Sequence, residues 1–281
     1  MSDLEQHLNT LLGARIEPLT PIAGGDINLA FRTSMQGQRL FVKTHDTPPR
    51  DMYRREAEGL KLLADANTLR VPRVIAVSER ALVLEWIESR PPCADYDEQL
   101  GRGLARLHEA GAPSFGLAHD NYVGSLPQDN TPHDSWPSFY GERRLLPLAH
   151  RARDRGLLDP RMMARVERLC ARLPALCGDA EPASRLHGDL WSGNVMRDEA
   201  GAPTLVDPAV YGGQREMDLA MLALFGSPSA RFFAAYDEQY PRLAGAAGRV
   251  ALYQLYPLLV HVCLFGTSYL SALSRALTRY E

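Results

Sequence analysis

Short apolar runs fill the first third of the chain, and long helical patterns fill the rest. Residues 3–12 place apolar side chains at helical spacing and stop at Gly13, which predicts a helix with a glycine cap. Strand-like pieces follow from Ile16 to Ile22, through Leu29-Ala30-Phe31-Arg32, and over Gln38–Lys43. Apolar strands on either side of Gly24-Gly25 predict a hairpin whose turn amides could lie over phosphate groups. Residues 51–66 read as an amphipathic helix with Tyr53, Leu60 and Leu63 inward. Two further strands are predicted at Val71–Val77 and Ala81–Ile87, and Arg90-Pro91-Pro92 then breaks the chain.

Beyond that break the pattern is mainly helical. Asp97–Glu109 carries Leu100, Leu104, Leu107 and His108 on one face and stops at Gly111, so His108 reads as a core histidine. Residues 113–140 show no periodicity and are rich in hydrogen-bonding and aromatic groups, among them Asn121, Tyr122, Gln128, Asn130, Trp136 and Phe139. A loop of that length is usually functional. Helices are predicted at 137–156 and 160–177, and another opens at Arg215. From Val250 to Leu273 there is no Asp, Glu, Lys or Arg, a length that could span a bilayer. Gln254, Pro257, His261 and three tyrosines fit a helix buried in protein instead, so no membrane span is expected. The order of elements predicts an α+β, two-lobed chain: a small antiparallel-sheet lobe over residues 1–88 and a larger helical lobe over 89–281, with a cleft between them.

Composition narrows the partners. The 281 residues carry a net charge of −3, with no basic excess of the kind a nucleic-acid surface needs. The four cysteines form no C-x-x-C pair and read as reduced thiols, and no basic apolar leader opens the chain; a cytoplasmic protein is expected, with a monomer favoured. Of 31 basic residues only Lys43 and Lys61 are lysine. Keeping a compact ammonium at Lys43, inside a strand, points to a site that a wider guanidinium would not serve.

The densest chemistry lies in residues 185–221. His187-Gly-Asp189 followed by Asn194 has the His-x-Asp-x-x-x-x-Asn order of a kinase catalytic loop. Phosphoryl transfer needs a carboxylate to orient and deprotonate the attacking hydroxyl, and oxygen ligands to hold magnesium against phosphates. Asp189 suits the first task. Asn194, and Asp207 after the Leu205-Val206 strand, suit the second. Lys43 lies where kinases place the lysine that grips phosphates, with Glu56 or Glu58 as its carboxylate partner. Backbone groups of Glu85, Trp86 and Ile87 are placed to meet an adenine edge. Asp218 opens the next helix and is positioned to accept N–H bonds from the catalytic loop, a structural role shared with His187.

Together these motifs resemble the fructosamine kinase (ketosamine-3-kinase) family of aminoglycoside-phosphotransferase-like kinases. The similarity runs through Gly24-Gly25-Asp-Ile-Asn, Phe41-Val-Lys43, Asn121-Tyr-Val-Gly124, Trp136–Arg144, His187-Gly-Asp-Leu-Trp-Ser-Gly-Asn194, Asp207-Pro-Ala and Tyr211–Asp218. His-Gly-Asp is common to many small-molecule kinases, whereas Trp191 marks this branch. The resemblance implies ATP and Mg2+ as cofactors, phosphorylation of the 3-hydroxyl of a ketosamine, free or protein-bound, and deglycation as the outcome. It implies Asp189 as base, Asn194 and Asp207 as metal ligands, and Lys43, Glu56, Gly24 and Gly25 at the nucleotide. Trp191, Asn121 and Trp136 become candidates for the acceptor. Asp26 stands where some relatives carry a cysteine, so no thiol regulation is inferred there. A kinase for another hydroxylated amine, such as an aminoglycoside or amino alcohol, and a silent nucleotide-binding pseudokinase are the competing readings.

Overall fold

The two periodicities of the sequence, two-residue and helical, segregate into two lobes. The computed structural model describes residues 2–23, 28–226 and 228–281; the Gly24-Gly25 turn lies outside the described residues. Helix α1 (Asp3–Leu12) starts at a reciprocal cap, in which Ser2 Oγ accepts from Glu5 N–H and the Glu5 carboxylate accepts from Ser2 N–H. Strands β1 (Thr20–Ile22), β2 (Leu29–Met35) and β3 (Gln38–Thr44), helix α2 (Met52–Ala64), and strands β4 (Val74–Val77) and β5 (Ala81–Glu85) follow. The strands form one antiparallel sheet in the order β1-β2-β3-β5-β4, with β3 at its centre.

Strand parity sets the direction of Lys43. Leu40 and Val42 on β3 join Leu8, Ile16, Ala81 and Val83 in a cluster beneath α1. Phe41 faces the other way, into a cluster with Tyr53, Leu60, Leu82 and Leu84 on the α2 side. Lys43 is two residues from Phe41 and therefore shares the α2 face.

The second lobe begins with α3 (Tyr96–Glu109). The segment read as irregular contains a hairpin, β6 (Asn121–Val123) and β7 (Leu126–Gln128), and a one-turn helix, α4 (Trp136–Phe139). The helix expected over 137–156 is not continuous. A π-helical turn at Tyr140–Leu145 separates α4 from α5 (Leu146–Asp154), and the wider turn carries Arg144, which is 0% exposed. Helix α6 (Pro160–Leu176) and strands β8 (Ser184–Leu186), β9 (Val195–Arg197), β10 (Pro203–Leu205) and β11 (Tyr211–Gly213) come next, with β9–β10 and β8–β11 paired antiparallel. Helices α7 (Glu216–Leu224), α8 (Ala230–Gln239), α9 (Ala246–Phe265) and α10 (Leu270–Thr278) complete the lobe.

Helix α9 is the charge-poor stretch of the sequence. It is long and apolar enough to cross a membrane, yet 67% of its most apolar window is buried in protein. Leu252, Tyr253, Leu255, Leu259 and Val262 are almost wholly enclosed in the lobe's main core. Burying each such side chain contributes about 1.5–3 kcal/mol, which explains a helix that is apolar all round. The cysteines form no disulfide among the described residues.

Candidate active site

The catalytic loop leaves β8 at Leu186 and is fixed from below. Asp218, in the first turn of α7, accepts the His187 N–H at 2.7 Å and the Gly188 N–H at 3.0 Å, and His108 Nε2 stands 3.2 Å from the same carboxylate. Gly188 has φ +82°, and a Cβ there would lie 2.0 Å from the Ala209 carbonyl oxygen, so only glycine fits. His187 Nε2 donates to the Val206 carbonyl at 2.9 Å and Nδ1 accepts from the Asp189 N–H at 3.3 Å. Those partners define a neutral imidazole, and burial accordingly pushes its pKa down.

Asp189 emerges from this scaffold partly exposed on a cavity of about 350 Å³ between the lobes. Burial, then the nearby Asp207 charge, push its carboxyl up to about 7, against the opposing pull of Asn194 and Lys43. A carboxyl poised there can take a proton near neutral pH.

Across the cavity, Lys43 Nζ donates to both Glu56 oxygens at 2.9 Å and lies 3.1 Å from Asp207 Oδ1. Burial opposes its charge, but Asp207 and Glu56 outweigh that penalty and raise its pKa overall. Glu58 instead meets Arg55 at 2.9 Å and His119 at 3.1 Å, so the partner of Lys43 is Glu56.

Asp207 has φ +53°, a left-handed backbone uncommon for a non-glycine residue and worth about 1–3 kcal/mol of strain. The segment after it is held from both sides. Ala209 N–H donates to His187 O at 2.9 Å, Asn121 Nδ2 to Val210 O at 2.8 Å, and Gln128 Nε2 to Ala209 O at 3.2 Å. Asn194 Nδ2 donates to Asp189 O at 2.9 Å and to Asp189 Oδ2 at 3.1 Å, which leaves its carbonyl oxygen as the end able to meet a cation. With the Asp207 carboxylate 44% exposed at the same cavity, the donor set of one amide oxygen and one carboxylate is the hard-oxygen pair that suits Mg2+ bound to phosphates.

The expected site residues divide into two groups. Lys43, Glu56, Asn121, Asp189, Trp191, Asn194 and Asp207 all line the cavity. Trp136 does not: it is 5% exposed and stacks on Tyr140 at 5.2 Å inside the aromatic core, which corrects its assignment to the acceptor. Asn121 reaches the cavity, but its side-chain oxygen accepts from Gln128 and Asn130 and its nitrogen holds Val210 O, so it braces the wall. Glu85, Trp86 and Ile87 are not among the lining residues, and the Glu85 N–H is already committed to Arg73 O at 2.9 Å. Gly24 and Gly25 lie outside the described residues.

Arg144 was not singled out from sequence. Its guanidinium donates to Asp129 O and Asn130 Oδ1, both at 2.6 Å, and lies 4.0 Å over the Tyr211 ring. Through Asn130 and Asn121 it anchors the hydrogen-bond chain that ends on the Asp207–Val210 segment.

A sheet-topped helical lobe with a Lys–Glu pair, a loop carboxylate and a hard-oxygen donor pair on one cavity defines the class: a kinase-fold phosphotransferase. The model of the family described as fructosamine kinase matches residues 1–280. A Thermus thermophilus protein named probable ketoamine kinase is 40% identical over 262 residues, covering 93% of each chain. A crystal structure from Thermobifida fusca, provisionally named a fructosamine-3-kinase, superposes with a TM-score of 0.92 at 41% identity over 99% of this chain and 98% of that one. An ADP-bound aminoglycoside phosphotransferase shares the fold, with a TM-score of 0.67 at 16% identity over 99% and 97% of the two chains. The chain belongs to the fructosamine kinase family.

Proposed function

We propose that the protein transfers the γ-phosphoryl group of ATP to the 3-hydroxyl of a ketosamine. The observation that carries this reading is the convergence of Asp189, Lys43–Glu56, Asn194 and Asp207 on one cavity, beside the Trp191 that distinguishes this branch of kinases. Asp189 accepts the proton of the attacking hydroxyl as the new P–O bond forms, and Asp218 and His187 hold the loop that aims it. Lys43, oriented by Glu56, neutralises phosphate charge. Asn194 and Asp207 would hold Mg2+, which when bound supplies charge neutralisation at the phosphates. The connector after β5, at Trp86 and Ile87, lies beyond the residues lining this cavity and is the segment whose backbone groups would meet the adenine, and the lobes divide near residues 88 and 89. In the product the phosphate on C3 neighbours the C1–C2 enaminol of the adduct, so it is eliminated and the sugar then hydrolyses from the amine, which amounts to deglycation.

A polycationic acceptor is not favoured. Among the described residues the acidic side chains lining the cavity are Glu56, Asp189 and Asp207, all committed to the base, phosphate and metal roles. The test is Mg2+-dependent ADP release with a fructosyl-amine and a ribulosyl-amine beside an aminoglycoside, with Asp189→Asn as blank. Turnover on the ketosamines alone supports the reading. Turnover only on the aminoglycoside, or nucleotide binding with no turnover on any acceptor, overturns it.

A further inference from the structure

Among the described residues three large hydrophobic side chains are exposed, and two of them, Trp191 at 41% and Phe265 at 43%, line the cavity that holds Asp189. Exposed aromatic surface concentrated at one mouth marks a binding face rather than scattered surface chemistry. Phe265 closes α9 and belongs to a ring cluster. His261 stacks on Phe225 at 4.4 Å and meets Tyr269 at 4.8 Å and Phe265 at 5.4 Å. All of them line the same cavity.

This wall is fixed relative to the reacting hydroxyl. Ser192 Oγ, three residues from Asp189, donates to Phe225 O at 2.6 Å. The Trp191 indole lies against Gly193, where a Cβ would approach it to 2.3 Å. Among the described residues the wall carries no Asp, Glu, Lys or Arg: the charged lining residues, Lys43, Arg55, Glu56, Asp189 and Asp207, come from the sheet lobe, from α2 or from the loops that carry the base and the metal ligands.

We propose that Trp191, Phe225, His261, Phe265 and Tyr269 form the subsite for the amine-bearing substituent of the acceptor, and select ketosamines whose amine carries an aromatic or extended apolar group. The inference rests on the ketosamine-kinase reading. A ketosamine has two unlike ends. Its hydroxyl-rich sugar must present one oxygen to Asp189, and the substituent on nitrogen continues away from that oxygen. Rings in contact with a substituent bury its apolar surface, and ring faces beside the secondary ammonium add a cation–π attraction. A substituent bearing several cations would find no carboxylate there.

The test compares the fructosyl adducts of benzylamine and methylamine, which share sugar and charge and differ only in the substituent. The expected kcat/KM ratio is about 10–100 in favour of the benzyl adduct, the discrimination that burying one ring supplies. Phe265→Ala should lower the benzyl value about tenfold more than the methyl value and bring the ratio toward one. Phe265→Leu, which keeps bulk without a ring, serves if the smaller side chain does not fold. Equal values for the two adducts in the native chain overturn the subsite and leave the kinase reading standing. Equal losses on both adducts in Phe265→Ala would place the rings on the sugar and also overturn it. No turnover of either fructosyl adduct, with the ribulosyl adducts of the same two amines also inert, would remove the kinase reading and this inference with it; turnover of the ribulosyl pair alone moves the same comparison to that pair.

Discussion

Replacing Asp189 by asparagine is expected to inactivate the protein and to stabilise it. Raising a carboxyl from 3.8 to about 7 corresponds to roughly 4 kcal/mol if none of it were screened; Asp189 is partly exposed on an open cavity, which leaves roughly 1–3 kcal/mol. The sign follows from proton counting. The unfolded carboxyl loses its proton near 3.8 and the folded one near 7, so between those values the folded chain binds more protons. Native stability at this site is therefore fully present below the lower value and is lost as pH rises through the upper one. The variant has no such dependence. In metal- and nucleotide-free protein, the stability gap between Asp189→Asn and the native chain should be small at about pH 4 and full at about pH 8. Thermal denaturation reads the gap at about 2–4 °C per kcal/mol for a chain of this size. Turnover should meanwhile fall about 10²–10⁴-fold, or roughly 3–5 kcal/mol of barrier. A gap that does not change with pH, or a variant less stable than the native chain at about pH 8, would refute the reasoning.

Three further perturbations follow from the same geometry. Lys43→Met leaves Glu56 buried without its cation and should cost about 3–5 kcal/mol in urea denaturation; adding Glu56→Gln should restore most of that stability and none of the activity, and strictly additive losses would contradict the pairing. Gly193→Ala drives a methyl into the Trp191 indole and should raise the acceptor KM roughly tenfold while sparing the KM for ATP; equal rises in both would contradict the placement of Trp191 on the acceptor side. Arg144→Met strips donors from Asp129 O and Asn130 Oδ1 and should cost about 2–4 kcal/mol by urea denaturation, with Arg144→Lys recovering part; unchanged stability would show that the buried network contributes nothing to stability.

Residues whose placement is fixed by local spacing were legible in the sequence. His187, Asp189 and Asn194 fall within eight positions, Asp218 opens a helix just downstream, and strand parity alone turns Lys43 toward α2. The choice between Glu56 and Glu58 was not legible, because both project from the same short stretch of helix and only its rotation against β3 separates them. Trp136 looked like a site residue because it lies in a polar loop, yet the packing of Phe115, Tyr140 and Tyr253 around it decides its fate. The π turn escaped detection because a single inserted residue scarcely disturbs helical spacing, and with it went Arg144. The ring cluster beside Asp189 was hidden for a related reason. Phe225 follows the end of α7, His261 and Phe265 lie in the last two turns of α9, and Tyr269 precedes α10, and an apolar sequence at a helix end looks the same whether it faces core or cleft.

The central claim is that a sugar hydroxyl receives the phosphoryl group under the control of Asp189. Phosphorus–proton correlation NMR on the product of a fructosyl-amine incubated with ATP and Mg2+ tests it most directly. The account predicts a phosphorus signal coupled to the proton on C3 of the sugar, absent with Asp189→Asn. Inorganic phosphate formed without any sugar ester, or an ester on another carbon, would contradict it.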